Sequence, residues 1–277
     1  MENDSTPKIM LLLFLGAFAY LLLMLFLGGL LVGGIYMATR KQPGQIDEGR
    51  RSFIGMGGQE ATDYTVFLGM QLVVQVFGSD DLRAQLKQLV DAEEYDMQGK
   101  RRFMKSVASL LLENQYAWEY GYWDYRTDAN DAIQNFNQWR NEIEASMATE
   151  ASELGSEVDR LNRYSDSKEF VVVSLMMLVD SRDEAVEDDV GAYEFRPTYQ
   201  QLAMPLRSSV EEITEPYYFR TTTFITLLEA IRALDPRAIE RDAFFVYPGT
   251  EADGISSMDL LGDASWKYLT DHPLRFS

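Results

Sequence analysis

The chain has no cysteine and only one histidine, His272. A thiol nucleophile, a disulfide framework, a Cys/His zinc site and a multi-histidine metal site are excluded on those counts. No G-x-G-x-x-G, G-x-x-x-x-G-K-[ST] or G-x-S-x-G string occurs, so the usual phosphate-cradling loops and the nucleophile elbow are missing too. A serine hydrolase would have to use His272 as its base. That residue sits in Asp271-His272-Pro273, near the end of the sequence, where chains are usually mobile. Positive charge is also scarce. Lys and Arg number 25 against 44 Asp and Glu, a net charge of −19, which argues against a nucleic-acid partner. Carboxylate pairs are plausible anywhere among so many acids, and none is distinctive. The sequence therefore nominates no catalytic, cofactor-binding or metal-ligating residue, and no cofactor.

One thing present in excess is an uncharged run, Ile9 to Met37, IMLLLFLGAFAYLLLMLFLGGLLVGGIYM. As a helix it would reach about 43 Å at 1.5 Å per residue. Crossing the hydrocarbon core takes roughly 20 apolar residues, and no polar face marks the run as a soluble core helix. Ala17-Phe18-Ala19 loosely resembles a signal-peptidase site. Against cleavage, the apolar stretch continues well past it, and only Lys8 precedes it. The expectation is an uncleaved transmembrane helix at 9–37, after a short polar N-terminus at 1–8. Lys and Arg favour the C-terminal flank (Arg40, Lys41, Arg50, Arg51), which by the positive-inside rule puts the rest of the chain in the cytoplasm. Gly29 and Gly33 give a G-x-x-x-G spacing on which a homodimer would pack.

Beyond the run the chain is strongly acidic. Residues 1–41 hold Lys8, Arg40 and Lys41 against Glu2 and Asp4, or +1, which leaves −20 for the remainder of the −19 total. Such a domain is repelled by anionic lipid headgroups and attracted by basic protein surfaces. Pro43, Gly44 and Gly55-Met56-Gly57-Gly58 mark residues 38–62 as a linker, leaving one acidic soluble domain at 63–277.

Within it, Val66, Leu68, Met70, Leu72, Val74 and Val76 alternate as a strand, buried fully on one face and partly on the other. An Asp-capped helix follows with Leu82, Leu86, Leu89 and Val90, then another with Phe103, Val107, Leu110 and Leu111. Lys100, Arg101, Arg102 and Lys105 form the main basic cluster, read as a solvated helix face. Tyr116, Trp118, Tyr120, Tyr122, Trp123 and Tyr125 crowd together, suited either to a core rim or to a partner surface. A long helix starts near Thr127–Asp131. Phe170 to Val179 reads as a central strand covered on both faces. The acidic segment Asp180 to Gly191 lacks EF-hand spacing and reads as a solvated loop. Helices are expected around Thr198–Ile213, interrupted by Pro205, and over Thr221–Leu234. A short strand at Ala243–Tyr247 and a Ser-capped helix over Met258, Leu260 and Leu261 complete the list. The fold class is α+β: a transmembrane helix, then one domain with a small sheet of about three strands packed by several helices.

This order of elements, with Phe136-Asn137-Gln138, the apolar strand Phe170–Val179, Phe244 to Pro248 and Ser257-Met258-Asp259-Leu260-Leu261, is similar to the bacterial and plastid membrane-protein family known as domain of unknown function 1517. The likeness runs from about Tyr64 to Pro273. Val246 stands near a place often held by Trp, and the family's long Gly-rich tract shrinks here to Gly55, Gly57 and Gly58. The resemblance implies a single-pass membrane protein with an α+β domain. It carries no catalytic residues. The function expected is a non-enzymatic interaction, assembly or regulatory module at a membrane, with a membrane-protein partner. The alternatives are a tethered carboxylate hydrolase and an anion sensor built from Lys100–Lys105 with Tyr116–Tyr125.

Overall fold

The computed structural model describes residues 50–54, 63–76, 81–92, 96–153, 168–186, 196–248, 254–262 and 264–274. The apolar run Ile9–Met37, with Gly29 and Gly33, lies outside the described residues. Among those described, no helix is long and apolar enough to cross a membrane.

The chain is α+β. Its antiparallel sheet has four long strands in the order β5 (Ile239–Tyr247), β4 (Phe170–Asp180), β2 (Thr65–Gln75), β3 (Trp118–Arg126), and a short β1 (Arg50–Ile54) on the outer side of β5. The sheet is wider than the three strands expected. The aromatic stretch itself is a strand, since Tyr and Trp favour a pleated, half-buried surface. Five residues of the stretch read as linker also pair with β5, Arg50 opposite Phe245 through Ile54 opposite Arg241. The strand ending at Tyr247 starts four residues earlier than the apolar pattern suggested, because the polar Arg241 and Asp242 still pair with β4, as does Ile239 beyond an irregularity at Glu240.

β4 is buried along its whole length, as its unbroken apolar run requires. Alternation then sorts β2 into two faces. Val66, Leu68, Met70, Leu72 and Val74 point to one face, under α1 (Asp81–Asp91), α2 (Met97–Glu113), α4 (Tyr199–Glu212) and α5 (Thr221–Ala233), in a single large core. Phe67 and Val73 point to the other face. Part of that face is covered by α3 (Ala129–Glu153), through Ala132, Ile133, Phe136 and Trp139. The rest lies under the C-terminal pieces α6 (Ser257–Gly262) and α7 (Lys267–Thr270), through Ile255, Leu260 and Leu269. The second face of β2 is thus buried from Thr65 to Val73, with only Gln75 at its end half-buried. Gln71 stays there because its amide donates to Ser174 Oγ at 3.0 Å.

Short polar residues cap the helices, Asp128, Thr198 and Ser256 where expected and Asp96 in addition, while Gly78 to Asp80 lie outside the described residues. Asp96 accepts from Gly99 N–H, Asp128 Oδ1 from Asn130 and Asp131 N–H, and Thr198 forms a capping box with Gln201. Ser256 caps α6, with Asp259 bonding back to Ser256 N–H and its hydroxyl. α4 continues through Pro205 instead of ending there, with Ala203 and Leu206 buried on either side of it.

Candidate functional site

The densest collection of partly exposed aromatic side chains lies around β3, an edge strand. Its register on β2 sets Leu68 opposite Tyr125, Met70 opposite Trp123 and Gln71 opposite Tyr122. Cross-strand partners share a face, so Trp123 and Tyr125 rim the large core while Tyr120 and Tyr122 belong to the opposite face. Two glycines allow this. A Cβ on Gly121 would stand 2.6 Å from Phe224 Cζ of α5, and one on Gly69 would stand 2.7 Å from Trp139 Cζ3 of α3. Each covering helix thus presses one ring onto bare backbone, from opposite sides of the sheet.

Tyr122 is the hub. Its ring meets Trp139 at 5.8 Å, Phe219 at 6.3 Å in a stack, Tyr268 at 5.7 Å edge-on and His272 at 5.7 Å. His272 lies 3.7 Å from Phe219 and gives its Nδ1–H to the Tyr268 carbonyl at 2.6 Å. The lone histidine is therefore an ordered packing residue within an aromatic cluster. Burial pushes the Tyr268 hydroxyl up to about 12, although its ring is 42% exposed. Its hydroxyl is bonded to Gln71, which opposes the rise. Burial likewise raises Tyr122, helped by Asp124. It raises Tyr125 too, where Arg207 opposes and Glu211 adds to the effect.

The turn at Glu215–Arg220 clasps the strand. Tyr218 packs edge-on to Trp123 at 5.3 Å and accepts its indole N–H at 2.8 Å, while Phe219 reaches the other face. Tyr217 and Tyr218 remain 48% and 38% exposed, and the Arg220 guanidinium covers the Tyr217 ring at 4.4 Å. This is a rigid aromatic surface with acidic neighbours, suited to burial against a partner.

The basic cluster does not join it. Lys100 is buried against Asp242 on β5 at 2.6 Å, and Arg101 pairs with Asp235 at 2.8 Å, leaving Arg102 and Lys105 exposed. Lys100 lies over β5, three strand spacings or about 14 Å from β3. The aromatic stretch and the basic cluster therefore do not form one anion pocket. Reading Lys100 as solvated was wrong, because periodicity on α2 could not reveal a carboxylate on a strand far along the chain.

Two carboxylates do meet, at the start of β5 and the end of β4. Asp180 is buried, bound by Arg182 Nε at 2.8 Å and by the Arg182 backbone N–H at 3.0 Å. Glu240 accepts the Thr65 hydroxyl at 3.1 Å. Burial raises both carboxyls above their ordinary values, and Asp180 adds to the effect on Glu240. Both are engaged in internal bonds. Asp180, read as the start of a solvated loop, is the last residue of a buried strand. Among the described residues, no group of three or more acidic or histidine side chains is placed to hold a metal ion.

The family described as Protein of unknown function (DUF1517) matches residues 67–210. The chain belongs to this family. The DUF1517 segment runs from β2 into α4, so it holds the aromatic strand and Phe136-Asn137-Gln138. It stops before the Glu215–Arg220 turn, β5 and the C-terminal pieces that complete the surface, and so is shorter than the likeness read from the sequence. No curated protein and no solved structure matches the chain.

Proposed function

We propose that this DUF1517 protein is a membrane-anchored, non-enzymatic interaction or assembly module. In this reading residues 9–37 span the bilayer once, the acidic domain lies in the cytoplasm, and Gly29 with Gly33 supports self-association of the anchor. The observation that carries the interaction role is the ordered aromatic surface on β3 and its clasping turn, where Tyr217 and Tyr218 stay exposed beside Trp123. Rigid aromatic side chains bury large area on binding at low entropic cost. The acidic balance favours a partner with a basic surface.

The test is affinity capture of the full chain from detergent-solubilised membranes, beside a Tyr217→Ala variant. The expected result is a membrane protein captured by the native chain and weakened or lost with the variant at nearly unchanged melting temperature. Identical captures would oppose the reading. A second reading, a tethered carboxylate hydrolase, draws on the Asp180–Glu240 pair. It requires hydrolysis of a phosphate or peptide substrate that disappears in Glu240→Gln.

A further inference from the structure

β3 is an edge strand, and unpaired edges invite the addition of another strand. Side chains close part of the edge: Asp124 Oδ1 takes the Tyr125 N–H at 2.9 Å, and Tyr218 and Phe219 of the clasping turn straddle the middle. The first part is closed differently. Gly121 N–H donates to the His272 carbonyl at 3.2 Å, and Leu274 N–H donates to the Glu119 carbonyl at 2.9 Å, with Tyr120 bridged to Pro273. The chain's own His272–Leu274 thus lies on β3 as a short added strand. Its His272 ring seats on Phe219, and Leu274 is buried in the main core.

We propose that this stretch of edge is a strand-addition site and that its own tail exchanges for the same segment of a second copy. The site is already complementary to that sequence in hydrogen bonds, ring contact and apolar anchor. The three residues carry no carboxylate side chain, so the added segment itself brings no negative charge to the acidic domain. Further along the edge Asp124 takes the Tyr125 N–H, which disfavours an added strand that runs past it. The proposal extends the interaction reading above but uses the backbone edge, not the exposed Tyr217 and Tyr218. Its failure would leave partner capture by those tyrosines standing.

The native chain lacks cysteine, so introduced pairs report cleanly. Tyr120 and Pro273 are bridged without exchanging hydrogen bonds with each other, the close type of antiparallel pair, whose Cα spacing of about 4.5 Å admits a disulfide. Two differently tagged full chains, one Tyr120→Cys and the other Pro273→Cys, are co-expressed, extracted in detergent and oxidised. The expected result is a disulfide joining the two tags, lost when a synthetic peptide of Lys267–Leu274 is added at about 1 mM, the effective concentration of a tethered tail. No joined product, or one the peptide leaves unchanged, overturns the proposal. If Tyr120→Cys does not fold, the full chain and a version ending at Asp271 are titrated with the labelled peptide. Saturable binding to the shortened chain, weakened or absent in the full one, supports the site. No binding to the shortened chain overturns it.

Discussion

The two faces of the sheet are built in different ways. Four helices cover one face, and the alternate residues of β2, β4 and β5 form one continuous core with them. The other face is divided. α3 seals one cluster around Phe67, Phe136 and Phe245, and the C-terminal pieces seal a second around Val73, Val172 and Leu269. Gln71 and Ser174 bond each other on that divided face, with the Tyr268 hydroxyl directed at Gln71. Helices interlocked with one another resist local opening, whereas separate pieces on a seam can yield singly. The aromatic hub and the His272 end of the tail belong to the seamed face, the more adaptable of the two, while Leu274 reaches the continuous core.

The largest expected effect tests the continuous face. Lys100 and Asp242 are both almost wholly buried there and paired at 2.6 Å. Lys100→Met leaves a buried carboxylate without its cation and should destabilise the domain by about 3–5 kcal/mol. Adding Asp242→Leu should recover most of the loss, since a buried ion pair is often replaceable by apolar groups of similar volume. Urea unfolding of the two variants checks this. A single variant as stable as the native chain would mean that water reaches Asp242, and the face would not be closed.

The two glycines sharpen the contrast next. Gly121→Ala drives a methyl into Phe224, which is fully buried among α5 neighbours, and overpacking of this kind costs roughly 1–3 kcal/mol. Gly69→Ala meets Phe67 and the half-buried Trp139 of α3. Because α3 packs alone on its part of the sheet it has room to shift, so the cost should fall in the lower half of the same range. Thermal melts that ranked the two in reverse would show the divided face to be the tighter one.

Most of the continuous face was legible in the sequence, and much of the divided one was not. The alternation of Val66 to Val76 and the helical spacing of Leu82, Leu86, Phe103 and Val107 are local patterns, and they give strand and helix where each is found. β3 was hidden because Tyr, Trp, Asp and Glu alternate along it without a clean apolar period. Its aromatic residues were visible as a group, but not their division between two faces. The hub draws Trp139, Phe219 and the Tyr268–His272 pair from three separate places in the chain, which no local pattern can join. The buried pairing of Lys100 was hidden for the same reason.

A smaller effect is expected at the clasp. Trp123→Phe keeps a ring against Tyr218 but removes the indole N–H donated to its carbonyl. Loss of one such bond at a partly exposed site should cost about 0.5–1.5 kcal/mol. Tyr217→Ala should stay within about 0.5 kcal/mol of the native chain, as for ordinary surface changes. Differential scanning calorimetry separates the two. Equal losses would make Tyr217 a structural residue and remove it from the proposed partner surface.

The smallest effect distinguishes the faces by pH. Thr65 and Asp180 are register partners and continue the divided face past Phe67 and Leu178, and the Thr65 hydroxyl binds Glu240. Burial raises the Glu240 pKa, with Asp180 adding to it and Arg182 and Arg241 opposing. A raised carboxyl pKa means that the folded chain holds the proton more tightly than the unfolded one. The stabilisation is complete below the unfolded value of about 4.3 and is lost as pH rises through the higher folded value. Glu240→Gln does not titrate and can still accept the Thr65 hydroxyl. Its unfolding free energy in urea should match the native chain near pH 4 and exceed it towards pH 7, by an amount within about 0.5 kcal/mol. The opposite trend, with the native chain gaining on the variant as pH rises, would mean that attraction to Arg182 and Arg241 outweighs burial and that this end of the divided face is open to solvent.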